Sequence, residues 1–165
     1  MISSTRLIWY AIAALFLILA QLNLGFIAVE NVVPDLLVIF VVVLALLEGQ
    51  FTAIVGGFIL GLAYDWIGGN EIVGTNALGK MLAGFIAGFY YEEGVEIHGS
   101  IGNFRFLAVL AFATFVHNVV YYFFYVQPAD LSFWTFLFRG GIAGVLYTTV
   151  VAALVMLVAA RKKEW

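Results

Sequence analysis

Four charged side chains interrupt the apolar stretches of this sequence, and their types are the ones that could do chemistry. They are two acids and two bases, Asp35, Asp65, Lys80 and Arg139. A charge inside an apolar segment is costly, so it usually faces a partner or a cavity. Because opposite charges at similar depth neutralise one another, the four are predicted to form an intramembrane polar cluster. Such a cluster fixes the arrangement of helices or receives a polar group of a binding partner.

Two other interpretations of these residues stay open. Lys80 and Arg139 have long side chains that can extend to the membrane surface. Asp35 and Asp65 can cap helix ends, where backbone N–H groups lack partners. A proton or ion path along the same residues is a further hypothesis, since carboxylates in membranes often serve as relays.

Enzymatic and cofactor chemistry is not indicated. The sequence has two histidines and no cysteine, too few of the ligands that hold zinc. His117 and Asn118 lie inside an apolar segment, where polar side chains commonly bond across to a neighbouring helix. No serine–histidine–acid set, phosphate loop or pair of catalytic carboxylates can be assembled. We therefore expect a non-enzymatic protein with no metal and no cofactor.

The elements that must position these charges are apolar helices. Hydrophobic residues make up 65% of the 165 residues and charged residues 10%, which excludes a soluble domain. The net charge of −3 argues against nucleic-acid binding, which needs a basic face. Six candidate spans follow one another, at about 6–24, 34–47, 51–67, 75–91, 104–126 and 132–160. The sequence predicts an all-α polytopic integral membrane protein, a compact bundle of six transmembrane helices forming one domain over residues 1–165.

Basic residues collect on one side of the predicted membrane. Six spans put both termini on the same side, together with Arg6, Arg105 and the basic run 161–163. The loops on the other side contain acidic residues, Glu30, Glu71 and Asp130, and no basic one. Since cytoplasmic loops carry the excess of lysine and arginine, the N and C termini are predicted to be cytoplasmic.

Glycine pairs spaced four residues apart indicate close helix packing. The pattern Gly-x3-Gly-x2-Tyr occurs three times, with glycines at Gly57 and Gly61, Gly84 and Gly88, and Gly140 and Gly144. Residues four apart lie on one helix face, and glycine there lets two backbones approach. A shared packing stripe and a chance recurrence in a glycine-rich sequence both remain possible interpretations.

A series of short motifs runs through residues 30–91. It comprises PDLL at 34–37, LLEG at 46–49, GGF at 56–58, GL at 61–62, Asp65, GG at 68–69, GTNAL at 74–78 and LAGFIAG at 82–88. In this order and spacing the chain resembles the rod shape-determining protein MreD family. Lys80 is a departure, since no role for it carries over from that family.

The resemblance implies a non-enzymatic scaffold subunit of the bacterial cell-elongation machinery, multi-pass in the inner membrane and surrounded by lipid. It implies binding to MreC-like bitopic proteins and indirect links to the MreB cytoskeleton, the RodA glycosyltransferase and a class B penicillin-binding transpeptidase. In that role the glycine faces would admit a partner helix, and Asp35, Asp65 and Arg139 would fix its register.

A second function is implied by the same resemblance. MreD proteins are similar in fold to the substrate-binding S-components of energy-coupling-factor vitamin transporters. An S-component needs a ligand cavity with several convergent polar groups. The sequence has short outer loops and few polar residues within its apolar segments, so this alternative is expected to fit less well.

Overall fold

The computed structural model describes residues 3–69, 72–94, 103–127 and 132–161, with side chains to residue 157. These residues form helices and short connections, and within them a single isolated β-bridge pairs Val29 with Val32. The described part of the chain is therefore all-α, as the sequence predicts.

Helices follow one another along the chain with short connections. They are α1 (Ser4–Leu22), a 3-10 turn (Leu24–Ile27), α2 (Leu36–Glu48), α3 (Gln50–Ile67), α4 (Thr75–Gly88) and α5 (Phe104–Val126). The C-terminal helix then consists of α6 (Phe133–Phe136), a π-helical turn (Leu137–Gly141) and α7 (Ile142–Arg161) in direct succession.

Local sequence explains where these helices begin and turn. The side chains of Ser3, Asp35 and Asn103 each accept a hydrogen bond from the backbone N–H three residues later. Each thereby caps the start of a helix, α1, α2 and α5 respectively, as short polar residues do. Gly49 joins α2 directly to α3 with φ of 88°, a conformation that glycine adopts without steric cost.

The consecutive helices α1 and α2 run in opposite directions, as do α3 and α4. Arg6 near the start of α1 pairs with Glu48 at the end of α2. Gln50 at the start of α3 donates to the carbonyl oxygen of Phe85, close to the end of α4. These contacts define one end of the bundle, the Arg6 end. The opposite side, where α2 and α4 begin, is the Asp35 side.

The two shortest of these main helices, α2 and α4, lie at the centre. They have 13 and 14 residues, which at 1.5 Å per residue is roughly 20 Å each. Leu37, Val38 and Val41 of α2 have no exposed surface. An exposed membrane span needs about 20 residues, but a helix enclosed by protein can be shorter.

Glycines bring α3 and α4 together at backbone distance. A side chain at any of four positions would overlap the facing helix: Gly57, Gly61, Gly84 and Gly88. At Gly57, for example, a Cβ would lie 2.6 Å from the carbonyl oxygen of Lys80. The first two glycine pairs therefore pack these helices against each other, and their faces are not open to a partner helix.

Among the described residues, four helices are long and apolar enough to cross a bilayer, which is compatible with the expected helical membrane protein. They are Ser4–Leu22, Gln50–Ile67, Phe104–Val126 and Phe133–Leu157; α2 is a shorter apolar helix. The predicted second span, 34–47, corresponds to α2, which begins at Leu36. The predicted fourth span, 75–91, corresponds to α4, which ends at Gly88. Six spans and cytoplasmic termini stay predictions, and Glu71, Asp130 and residues 162–163 lie outside the described residues.

Candidate functional site: a buried ion pair beside a polar cavity

A buried ion pair joins the start of α2 to α4. The Nζ of Lys80 lies 3.0 Å from Oδ2 of Asp35, and their side chains are 1% and 19% exposed. The other carboxylate oxygen, Oδ1, accepts the backbone N–H of Val38 at 2.9 Å. Asp35 therefore caps α2 and neutralises Lys80 at once. Since either charge alone would be costly in this apolar interior, the pair fixes α2 relative to α4.

Asn76 links this ion pair to the second carboxylate. Its Oδ1 accepts a hydrogen bond from Lys80 at 2.8 Å, and its Nδ2 donates to Oδ1 of Asp65 at 2.8 Å. Oδ2 of Asp65 accepts the backbone N–H groups of Gly74 and Asn76, at 2.9 and 3.0 Å, where α4 begins. The clustering and capping interpretations thus both describe Asp35 and Asp65. We call Asp35, Asp65, Asn76 and Lys80 the polar network.

Two longer helices also contact Asp35. Nε2 of His117, near the middle of α5, lies 3.2 Å from Oδ2 of Asp35. The hydroxyl of Thr148, in α7, accepts the backbone N–H of Asp35 at 3.0 Å. The imidazole fits because Gly79 of α4 has no Cβ, which would overlap the ring. The start of α2 is therefore held at the level of the middle of α5.

The structure does not bring Arg139 into the polar network. Its side chain is exposed, and within the described part of the chain it makes no ion pair or side-chain hydrogen bond. It lies in the π-helical turn, near the exposed side chains of Trp134, Phe138 and Ile142. Of the four predicted charges, three converge and the fourth faces away from the bundle.

A polar cavity of about 200 Å³ lies beside the network. Nine polar side chains line it: Gln21, Asn31, Asp35, Tyr64, Asn76, His117, Asn118, Tyr121 and Tyr122. They come from α1, the α1–α2 connection, the start of α2, and α3, α4 and α5. Polar residues that are few in each apolar segment therefore converge here, because residues far apart in sequence meet.

The third glycine pair forms part of the cavity wall. A Cβ at Gly140 would overlap the hydroxyl of Tyr122, and one at Gly144 would lie 3.2 Å from Nδ2 of Asn118. That nitrogen donates to the carbonyl oxygen of Gly141 at 2.7 Å, in the π-helical turn. Such turns often occur at functional sites. Gly140 and Gly144 thus make room for polar side chains of α5.

Several site residues carried a weak signal in the sequence. His117, Asn118, Tyr121 and Tyr122 lie at helical spacings that place them on one side of α5. Asn76 and Lys80 are four residues apart, so a helix at this position predicts that their side chains are in contact. Gln21 gave no comparable signal; it is buried and bridges the carbonyl of Pro34 and the N–H of Leu36.

The donors and acceptors of this arrangement can hold helices in register and can bind a small polar molecule. Among the described residues, no group of three or more metal-ligating side chains occurs. Comparisons with protein-family models, with curated proteins and with solved structures give no match to this chain.

Proposed function

We propose that this protein is a non-enzymatic scaffold subunit of the bacterial cell-elongation machinery in the inner membrane. Its direct partner is an MreC-like bitopic protein, through which it connects to the MreB cytoskeleton, RodA and a class B penicillin-binding transpeptidase. The resemblance of residues 30–91 to the MreD family supports this role. The single structural observation that favours a partner is Arg139, a charged side chain left exposed on an apolar surface.

The proposal includes six membrane-crossing helices and cytoplasmic termini. Five helices and the composite C-terminal helix follow one another in the described residues, and six crossings that alternate in direction would bring both ends of the chain to the same side. Arg6 and Arg105 both lie at the Arg6 end, where each pairs with a glutamate. This end is then cytoplasmic under the positive-inside rule, and the Asp35 side faces outward.

Arg139 marks the partner surface. An arginine at the centre of a membrane helix costs about 2.5–3.5 kcal/mol on insertion scales, and less near the interface. A carboxylate on the partner helix would offset this cost by forming a charge-assisted hydrogen bond. Trp134, Phe138 and Ile142 supply the apolar contact beside it. The partner helix therefore packs on the C-terminal helix, not on the glycines between α3 and α4.

Co-purification of the MreC-like partner from solubilised membranes tests this placement. Arg139→Glu should reduce partner recovery about tenfold or more, because the charge on the contact is reversed. Arg105→Glu is the matched control, since Arg105 is also exposed but lies at the other end. Equal recovery with Arg139→Glu and the parent protein would place the partner elsewhere. Loss with Arg105→Glu alone would move the interface to the Arg6 end.

The second candidate function is that of a substrate-binding membrane subunit similar to S-components. The cavity favours it, since ligand sites combine concave shape with a few placed polar groups. The volume of about 200 Å³ is below the range of about 300–1,000 Å³ typical of ligand pockets. A vitamin-sized ligand that raises the thermal unfolding midpoint of the purified protein would favour this role over the scaffold.

A further inference from the structure

We propose that the polar cavity binds a small organic cation, a compact molecule or headgroup bearing an ammonium group. This inference goes beyond the scaffold role and does not depend on it. Four features carry it: the charges around the cavity, its unused hydrogen-bonding groups, its aromatic faces and its size.

The charges around the cavity favour a cation over an anion. Asp35 lines the cavity, whereas Lys80 does not. The ammonium of Lys80 is 1% exposed and is held between Asp35 and Asn76. An anion entering the cavity would therefore meet the carboxylate of Asp35 at the wall, while the ammonium of Lys80 lies outside the lining, and this arrangement favours a cation.

Several residues that line this cavity have hydroxyl or amide oxygens that the fold leaves without a hydrogen-bond partner among the described residues. Tyr64, Tyr121 and Tyr122 line it, and their hydroxyls make no hydrogen bond within the described residues. Asn118 uses its Nδ2 on the backbone of Gly141, which leaves its Oδ1 as an acceptor. Hydroxyl and amide oxygens accept from N–H groups, so this set suits a ligand rich in donors.

Aromatic rings provide the remaining wall. The rings of Tyr121 and Tyr122 meet edge to face, with centroids 5.3 Å apart. Tyr121 stacks on both His117 and Tyr125, with centroids 6.3 and 5.7 Å apart, so the Tyr122 ring is the one left to contact a ligand. An ammonium over a tyrosine face is attracted to the ring quadrupole, the more so where water is excluded. The Tyr122 ring and the carboxylate of Asp35 therefore make a site of the kind that recognises ammonium groups.

The size of the cavity limits the ligand. A volume of about 200 Å³ equals that of about seven water molecules, at about 30 Å³ each. Ethanolamine and choline fall within this limit. The same ammonium chemistry occurs in free amines and in the headgroup of phosphatidylethanolamine, so the test must separate these two sources.

Ligand binding is measured on the full chain in detergent, by thermal unfolding and by titration calorimetry. The probes are ethanolamine, choline and tetramethylammonium, with sodium acetate and potassium phosphate at matched ionic strength as comparators. We expect the ammonium probes to raise the unfolding midpoint with increasing concentration and the comparators to leave it unchanged. No shift with any ammonium probe, or an equal shift with phosphate, would overturn the proposal.

Cavity variants locate the binding. Val33 lines the cavity, so Val33→Trp should fill it and weaken probe binding at least tenfold. Val29→Trp is the matched control, because Val29 is 62% exposed and outside the lining. Tyr121→Phe keeps the ring and removes the hydroxyl, and should weaken binding roughly threefold to tenfold. Unchanged affinity in both Val33→Trp and Tyr121→Phe would show that the probes bind elsewhere and would overturn the assignment.

Two further comparisons identify the source and separate this inference from the scaffold role. If nanodiscs of phosphatidylethanolamine abolish the effect of free ethanolamine while phosphatidylglycerol nanodiscs preserve it, the site holds the lipid headgroup. If both preserve it, the site takes a free amine. Tyr121→Phe should leave partner recovery unchanged, and Arg139→Glu should leave probe affinity unchanged. The two proposals can thus fail independently.

Discussion

Ion pairs at the two sides of the bundle contrast in burial and in what they connect. Arg105 and Glu92, at the Arg6 end, pair with side chains 49% and 55% exposed. Lys80 and Asp35 pair with side chains 1% and 19% exposed. The exposed pair joins α5 to the segment just after α4. The buried pair lies where α2, α4, α5 and α7 meet.

The difference shows that one side of this protein is specified by polar contacts and the other by apolar packing. Toward the Arg6 end, Val42, Leu46 and Leu110 belong to a large apolar core. Such packing tolerates exchange of hydrophobic side chains of similar volume. On the Asp35 side, donors and acceptors must match in position, so we expect fewer substitutions to be tolerated.

The largest effect is expected for Lys80→Met. It leaves Asp35 without its counter-charge, and breaking a buried pair in this way costs about 3–5 kcal/mol. The free energy of unfolding, measured by denaturant titration in mixed micelles, should fall by this order. The double variant Asp35→Asn with Lys80→Met should recover part of the loss, since both charges of the pair are then removed. A loss below about 1 kcal/mol in the single variant would mean that water compensates the carboxylate of Asp35.

An intermediate effect is expected for Asn76→Leu. The change removes an acceptor from Lys80 and a donor from Asp65, and each unsatisfied buried group costs about 1–3 kcal/mol. Unfolding under the same conditions measures the loss. Asn23→Leu is the matched control, because Asn23 is exposed and, within the described residues, its side chain bonds only to the carbonyl of Leu19 in its own helix end. Equal losses in the two variants would contradict a bridging role for Asn76.

The smallest effect is expected for Glu92→Gln. Exposed ion pairs contribute about 0.2–1 kcal/mol and are screened by salt. The free energy of unfolding should therefore change little, and the small loss should vanish in about 1 M salt, where the screening length is about 3 Å. The loss caused by Lys80→Met should persist in that salt. A salt-insensitive loss with Glu92→Gln would remove the contrast between the two ion pairs.

Much of the fold could be predicted from the sequence, because it depends on local pattern. Apolar runs predicted the helices. The pairing of Asp35 with Lys80 was within reach, since charge cost and similar depth bring opposite charges together. The expected packing role of Gly57 rested on spacing along one helix face, and the structure places this glycine against the backbone of α4.

Other features depend on information that hydropathy does not contain. Depth in the membrane can be read from an apolar run, but the rotation of a helix about its axis cannot. Arg139 shares its predicted depth with Asp65, yet it lies in a π-helical turn and faces outward. The cavity was missed for a related reason, because Gln21, Tyr64 and His117 converge only through the packing of three separate helices.

The shortness of α2 has a consequence for transport across the membrane. Its first turn begins at the floor of the polar cavity, and the turns after it are enclosed by an apolar core. In the described part of the chain, the cavity is therefore a recess, and packed aliphatic side chains separate it from the Arg6 end. Along α2 toward the Arg6 end, the buried residues that follow Asp35 are apolar: Val38, Val42 and Ala45. Binding in the recess would therefore not open a polar path along α2 to the Arg6 end.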